Sequence, residues 1–509
     1  MDKSEETEIK LVASPTVFSR LLVHPFLNGT EREARLRSVY FDTVSGRLRN
    51  KDAVLRVRER PGTREQTLKT PSARGGPAAR CEYNAPFEGD APDPGLFPPP
   101  ARAFLARAVG DCAIVQIAVS DIVRKQRLIR YGGSSIEVAF DEGWLHAGTR
   151  QAPVCELELE LVDGTLADLF HLALELPLGA DLSWSVRSKG ERCHDLAFDL
   201  QPCAEKARPL RLTPHMATDR AFQVIARNCL RQLIANYPQV IATGDPDAVH
   251  QTRVSVRRLR AAMSVFAKVL VHEETPVIRA GLKAIADALG PARDLHVLIE
   301  RLSAKDGAPP LHAKELGGHL AMRRDQALAT ARQTLSGTQF QRFLFGLAEW
   351  VETSPWITAR AAHVAVPDAG RFARRDLRRR VRKIGRHAGH LASMDKDRRH
   401  NLRIAVKKLR YAWDFFRSVC HADGPQPRAA FASALERLQD SLGELNDIAV
   451  AAQAAPEWLA GEDPITSARL NAVLESWLDQ RKRSEKRLLR KAEKALVRMA
   501  ASANDLFQR

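Results

Sequence analysis

A two-part chain, an antiparallel α+β domain followed by an all-α domain, is predicted by three observations. Short runs of alternating or β-branched residues fill residues 1–200, whereas from Met216 onward Ala, Leu and Arg recur at helical spacing. The charge changes at the same place. Over residues 1–200, 26 Lys and Arg stand against 29 Asp and Glu, a net of −3; over the rest, 52 against 32 give +20. Finally, a basic helical motif recurs within the second part at an offset of 150 residues.

The strand-like runs are Thr7–Val12, Arg37–Asp42, Ala53–Arg58, Gln66–Thr70, Arg80–Phe87, Val115–Ile129, Ile136–Phe140 and Val154–Val162, punctuated by Pro61-Gly62, Gly75-Gly76 and Gly132-Gly133. One helix starts at Ser14-Pro15, with Ser as N-cap and Pro at the first helical position. Another runs from Thr165 to Leu176 and stops at Pro177. The proline-rich stretch Asp90–Pro100 cannot enter a sheet interior and is a loop. So many strands in so short a span predict a barrel or a strongly curved sheet. Domains are expected at 4–202 and 214–505, with 203–213 as linker. Helix breaks are expected near Gly244–Asp247, Asp306–Pro310, Pro355–Pro367, Asp423–Pro427 and Gly461–Pro464.

Composition excludes several classes. No apolar run reaches the roughly 18 residues that span a bilayer, so no membrane is expected. The opening MDKSEETEIK lacks the apolar stretch of a secretory signal. Seven scattered cysteines form no CxxC pair, which argues against a disulfide framework or thiolate zinc site and for a cytoplasmic location. The surplus positive charge of the second part predicts a polyanion partner. Aromatics are 6% of the chain, too few for extensive base stacking, so nucleic acid is expected to bind only non-specifically.

Candidate site residues lie on the strands. Glu6, Glu8 and Lys10 share one face of the first by the two-residue period, and Glu156, Glu158 and Glu160 share one face of the last. A row of glutamates on one strand is ordinarily a solvated face. Two such rows place five carboxylates where a hard divalent cation, Mg²⁺ or Mn²⁺, would join them. Arg56, Arg58, Lys69, Arg80, Arg124 and Arg127 supply the opposite sign, with Glu82 close to Arg80. A lumen lined by both signs suits a metal-bound chain of phosphates, because phosphoryl transfer asks the protein mainly to position and neutralise.

These residues resemble the CYTH domain of the triphosphate tunnel metalloenzymes. Glu6-Thr-Glu8-Ile-Lys10 is similar to its ExExK signature. It is followed in the family's order by Tyr40-Phe-Asp-Thr43, Leu55-Arg56-Val-Arg58, Leu68-Lys69, Arg80-x-Glu82, Ile136-Glu137-Val-Ala-Phe-Asp141, Glu156-Leu-Glu158-Leu-Glu160 and Ser188-Lys189. The resemblance implies an eight-stranded antiparallel tunnel for a triphosphate and a divalent metal. It implies Glu6, Glu8, Glu158 and Glu160 as metal ligands, with Asp141 and Glu156 beside them. It also implies a phosphate-contacting set of Lys10, Arg56, Arg58, Lys69, Arg80, Arg124, Lys189 and Arg192, of which Lys10, Arg56 and Arg58 would stabilise charge during catalysis; Glu82 and Arg127, close to Arg80 and Arg124 in sequence, are expected in the same triphosphate site. The family often continues Ser-Lys-x-x-Arg with Gly-Tyr, where this chain has Cys193-His194.

In the second part, His250, Arg253, Arg257 and Arg260 line one helix face, with Arg258 beside them; Val254, Leu259, Met263 and Phe266 turn toward the core. His400, Arg403, Lys407, Lys408 and Arg410 repeat the pattern. About forty residues after each start come Leu289-Gly-Pro-Ala-Arg293-Asp294 and Leu442-Gly-Glu-Leu-Asn446-Asp447, whose aspartates are expected to pair with arginines. These motifs resemble the CHAD domain, which implies two four-helix bundles and association with inorganic polyphosphate. The expected function is metal-dependent hydrolysis of inorganic triphosphate in the tunnel, with polyphosphate held by the helices. The alternatives are a non-catalytic polyphosphate-binding protein, or a CYTH enzyme acting on thiamine triphosphate or ATP, the latter as an adenylyl cyclase.

Overall fold

The computed structural model describes residues 8–60, 63–71, 80–303, 313–359, 367–420, 425–458 and 464–507. Among these residues nine strands form one sheet: β1 (Glu8–Ala13), β2 (Glu31–Asp42), β3 (Val54–Arg60), β4 (Thr63–Pro71), β5 (Arg80–Pro86), β6 (Val115–Tyr131), β7 (Ser134–Ala147), β8 (Arg150–Asp163) and β9 (Leu182–Trp184). Four helices accompany them: α1 (Pro15–Leu21), α2 (Pro99–Val109), α3 (Leu166–Leu174) and α4 (Lys189–Ala197). The order is β5-β4-β3-β2-β6-β7-β8-β1-β9, antiparallel throughout. Eight strands of six residues or more match the expected number, and the three-residue β9 adds a ninth at the edge. The sheet curls strongly. Glu8 on β1 acts electrostatically on Lys69 of β4, although five strands lie between them in the order.

Period-2 alternation divides each strand between two surfaces. The convex surface is apolar and carries helices. Phe41, Leu55, Val57 and Leu68 pack under Ala101, Leu105 and Val109 of α2. At the other end of the sheet Phe18 of α1 meets Phe140 edge-on, with ring centroids 6.0 Å apart. The concave surface is apolar only at one end, where Leu36, Tyr40, Val54, Ile122, Leu145 and Val154 enclose Cys193 of α4. That helix begins at Ser188, whose hydroxyl accepts from the Glu191 N–H while the Glu191 carboxylate accepts from the Ser188 N–H. The helix closes one end of the cavity and turns its first residues toward the polar remainder.

The rest of the described chain is helical: α5 (Thr218–Thr243), α6 (Pro246–Val265), α7 (Thr275–Ser303), α8 (Ala313–Ser336), α9 (Thr338–Thr353), α10 (Pro355–Thr358), α11 (Ala369–Gly385), α12 (Lys396–Phe416), α13 (Pro425–Trp458), α14 (Pro464–Lys482) and α15 (Glu485–Phe507). The repeat extends to element order. A stripe-bearing helix, α6 or α12, is preceded by one long helix and followed by a longer one, of 29 residues in α7 and 34 in α13. The breaks expected at 306–310 and 461–463 fall outside the described residues.

Two compact units result. One comprises 1–208, 227–252 and 335–354; the other comprises 209–226, 253–334 and 355–509. Within the first, Trp184 of β9 stacks on Phe345 of α9 at 4.8 Å, and its N–H donates to the buried Tyr237 hydroxyl at 3.1 Å. The second has a ring core in which Phe266 stacks on Phe372 at 5.0 Å and Trp413, Phe431 and Phe507 meet edge-on. All seven cysteines are free thiols. Among the described residues no helix is long and apolar enough to cross a membrane.

Candidate active site

The polar part of the concave surface is built row by row across the strands. Glu8, Glu160 and Glu137 are cross-strand partners on β1, β8 and β7. The next row holds Lys10 and Glu158, and the row after it holds Glu156, Asp141 and Arg124. Period 2 sets all of them on one surface, opposite to the buried Ile9, Leu11, Leu157 and Leu159.

Carboxylates and cations interlock there. Lys189, at the first turn of α4, places Nζ 2.6 Å from Asp141, 2.6 Å from Glu156 and 3.0 Å from Glu158. Arg124 donates to Asp141 and Glu158. Lys10 lies 3.2 Å from Glu158 and 3.5 Å from Glu8, and Arg192 donates to Glu156 at 2.6 Å. Burial alone would push the Lys10 and Lys189 ammonium groups down. The surrounding carboxylates outweigh it and hold both above the usual lysine value. Burial would likewise raise Glu156, Glu158 and Asp141, yet Lys189 and its fellow cations hold all three carboxyl groups below their usual range.

A second cationic group lies on β3 and β4. Arg58 donates through Nε to the buried Ser38 hydroxyl at 3.0 Å. Arg56 sits 3.5 Å from Glu82, which also pairs with Lys69. Burial, with Arg56 alongside, pushes the Lys69 ammonium down, and Glu82 and Glu8 restore only part of it. This wall is therefore less fully neutralised than the one around Lys189. Asp141, Glu156 and Glu158 each offer an oxygen within 4.8 Å of the others, a hard-donor set that fits Mg²⁺ or Mn²⁺.

On the helices, Arg253 donates to the Gly290 carbonyl at 2.6 Å and pairs with Asp294 at 3.1 Å, as its motif predicts. The ring Nδ1 of His400 lies 2.9 Å from Asn446 Oδ1. Arg410 lies 3.5 Å from both Asp414 and Glu436, whereas Arg260 and Lys408 are exposed.

Comparison with known families decides the kinship. The CYTH domain matches residues 4–189 and the CHAD domain matches residues 224–456. The chain joins a CYTH domain to a CHAD domain. The inorganic triphosphatase of Haemophilus influenzae is 31% identical over 196 residues, 37% of this chain. That match spans 54% of the Haemophilus protein's length. An uncharacterised protein of Mycobacterium tuberculosis is 26% identical over 499 residues, 91% of this chain and 90% of its own. The CHAD domain of the plant Ricinus communis is 27% identical, with a TM-score of 0.49 over 58% of this chain and 96% of the plant domain.

In the CYTH domain, Glu8, Lys10, Arg56, Arg58, Lys69, Glu82, Arg124, Glu156, Glu158, Glu160, Asp141, Lys189 and Arg192 come together as expected. Glu6 lies outside the described residues, as does the side chain of Arg80. Arg127 is a correction. Three positions from Arg124, it falls on the opposite surface, pairs with Glu31, donates to the carbonyls of Leu22 and Leu27, and lies 4.9 Å over the Phe140 ring. It clasps the segment after α1 and cannot touch a ligand in the cavity. In the CHAD domain, Arg258 is also misplaced by the sequence reading: it is buried over the Phe415 ring at 5.8 Å. Three residues of the CYTH cavity were missed: Ser38, and the hydrogen-bonded pair Gln126 and Glu137. Glu137 shares the two-residue phase of Asp141, a signal present in the sequence.

Proposed function

We propose that the CYTH domain hydrolyses inorganic triphosphate with the help of a divalent metal, and that the CHAD domain binds inorganic polyphosphate. The observation that carries this reading is the single concave surface on which a carboxylate group on β1, β7 and β8 faces a cationic group on β3, β4, β6 and α4. The Haemophilus triphosphatase, similar over the same domain, supports the choice of substrate. Glu8, Glu158 and Glu160, with Asp141 and Glu156, would hold Mg²⁺ or Mn²⁺, which when bound neutralises phosphate charge and lowers the pKa of water. Arg56, Arg58 and Lys69 bind and orient the terminal phosphates from one wall. Lys10, Arg124, Lys189 and Arg192 meet them from the other, exchanging carboxylate partners for phosphate oxygens. The Ser38 hydroxyl in the cavity accepts a hydrogen bond from the Arg58 guanidinium, which cannot take up its proton, so direct attack by water is the simplest route. The deciding experiment is phosphate release from triphosphate, ATP and thiamine triphosphate with each metal. Triphosphate should be hydrolysed fastest, and Glu8→Gln with Glu160→Gln should abolish the release. Preference for a nucleotide, or activity within about twofold of wild type in the double variant, would reject the assignment.

A further inference from the structure

The segment that leaves α4 is no free tether. From Pro202 to Arg208 it is laced to one face of α5, over residues that the CHAD domain matches. Gln239 donates to the Pro202 carbonyl at 2.9 Å, and Asn228 to the Arg208 carbonyl at 3.0 Å. Asn236 exchanges two hydrogen bonds with the Glu205 backbone, at 2.9 and 3.0 Å. Arg231, buried on the same face, donates through Nη1 to the Glu205 carboxylate at 2.6 Å. Its other terminal nitrogen, Nη2, is buried and makes no hydrogen bond among the described residues. It stands 4.0 Å from Glu191 Oε1 on α4. Arg208 Nη2 lies 3.5 Å from the same oxygen and 3.4 Å from Asp52.

Glu191 fixes the first turn of α4. Its Oε2 accepts from the Ser188 N–H at 2.8 Å and from the Ser188 hydroxyl at 3.0 Å. Lys189 follows Ser188 and Arg192 follows Glu191, so these hydrogen bonds set where the two cavity cations of α4 stand. One oxygen of the carboxylate is thus committed to the helix cap, and the other faces two guanidinium groups. We infer that Arg231 is a positioning residue for the reaction: through Glu191, with Arg208 beside it, it holds the first turn of α4 so that Lys189 and Arg192 meet the substrate phosphates. This rests on the triphosphate reading above and adds to it a residue from a helix that the CHAD domain matches. Arginine suits the task because its fork offers one terminal nitrogen to Glu205 and the other to Glu191. A misplacement of about 1 Å can cost roughly a hundredfold in rate. A first turn that keeps its cap and loses only the outer clasp moves less, so about tenfold is expected.

The test is a double-mutant cycle in the full chain, read as kcat/KM for triphosphate well below every melting temperature. Arg231→Gln removes the clasp, and Glu191→Gln removes the charge it grips while leaving a carbonyl to cap Ser188. Each should lose about tenfold, and the double variant should lose no more than about twofold beyond either, because the two residues act as one unit. Arg231→Lys, which keeps the charge, should lose only about threefold, and it carries the same cycle if the glutamine variant fails to fold. Phe345→Ala destabilises the same compact unit without touching α4 and should leave kcat/KM unchanged. Losses that multiply in the double variant would overturn the inference. So would wild-type rates in Arg231→Gln, a lysine variant no better than the glutamine one, or an equal loss in Phe345→Ala. A wild-type chain inert toward triphosphate would reject the functional reading instead. Hydrogen exchange of the α4 amides, residues 189–197, then decides the clasp. Faster exchange in each single variant and no faster in the double would support it, and unchanged exchange would overturn it.

Discussion

Three lysines of the CYTH cavity occupy different electrostatic settings, and their titration should separate them. Lys10 and Lys189 are held charged by carboxylates, whereas Lys69 is pushed down by burial and Arg56. Lys69 therefore loses its proton at a lower pH than an ordinary lysine, and a cation lost from the phosphate-binding wall weakens triphosphate binding. KM should rise on the alkaline side before kcat falls, and Lys69→Arg should shift that rise to higher pH. A KM profile identical in both proteins would count against the role of Lys69. Lys189 sits at the other extreme. Lys189→Met would leave Asp141, Glu156 and Glu158 short of their shared cation, at a cost of about 3–5 kcal/mol in a urea titration at neutral pH. The same three carboxyl groups have native values depressed below their unfolded ones. The stability they contribute is present above about pH 4 and is lost as pH falls through the depressed native values. In Lys189→Met, acid unfolding should begin at a higher pH than in the wild type.

At the scale of elements, α4 sets the cavity's geometry, and one glycine sets α4. A Cβ on Gly190 would fall 2.4 Å from Val54 Cγ1 and 3.1 Å from the Tyr40 ring, so Gly190→Ala must shift the helix or β3. Overpacking of this kind costs roughly 1–3 kcal/mol, and the shift carries Lys189 and Arg192 with it. A loss of triphosphatase rate at least tenfold beyond any loss of stability is expected, read from rates measured well below the melting temperature. Retained activity would mean that α4 plugs the cavity without positioning anything. The sequence held the signals for much of this architecture. Alternation marked β1, β3, β7 and β8 because each carries a run of apolar residues on one face: Ile9 and Leu11, Leu55 and Val57, Ile136, Val138 and Phe140, and Leu157, Leu159 and Leu161. It failed on the first half of β2, where Glu31, Arg32, Glu33 and Arg35 put charge on both faces. It failed on α4 because a buried lysine and glycine open that helix, although Ser188 and Glu191 spell a capping box. Arg127 was grouped with Arg124 by proximity in sequence, where the strand period separates them.

At the scale of the whole molecule, the CYTH sheet does not end its packing where its own sequence ends. Every candidate catalytic residue precedes residue 193, which makes a fragment of residues 1–208 look self-sufficient. The compact unit built on the sheet nevertheless includes 227–252 and 335–354. Trp184, only 3% exposed, is covered by Phe345 and anchored by Tyr237, while His171 of α3 lies 3.2 Å from Glu349 of α9. Cutting at 208 removes all three partners and bares the indole. Exposing a large apolar side chain forfeits about 1.5–3 kcal/mol, and the lost stacking adds about 0.5–1.5 kcal/mol. The fragment should thus hydrolyse triphosphate at low temperature, since its cavity is intact, yet unfold at lower temperature or lower urea concentration than the same sheet in the full chain. In the full chain Phe345→Ala should reproduce part of that loss without altering KM, because the residue packs on the convex surface, away from the cavity. Tryptophan emission would report the exposure directly, with a red shift in both the fragment and the variant. A fragment as stable as the sheet in the full chain would mean that α9 rests on the sheet without supporting it.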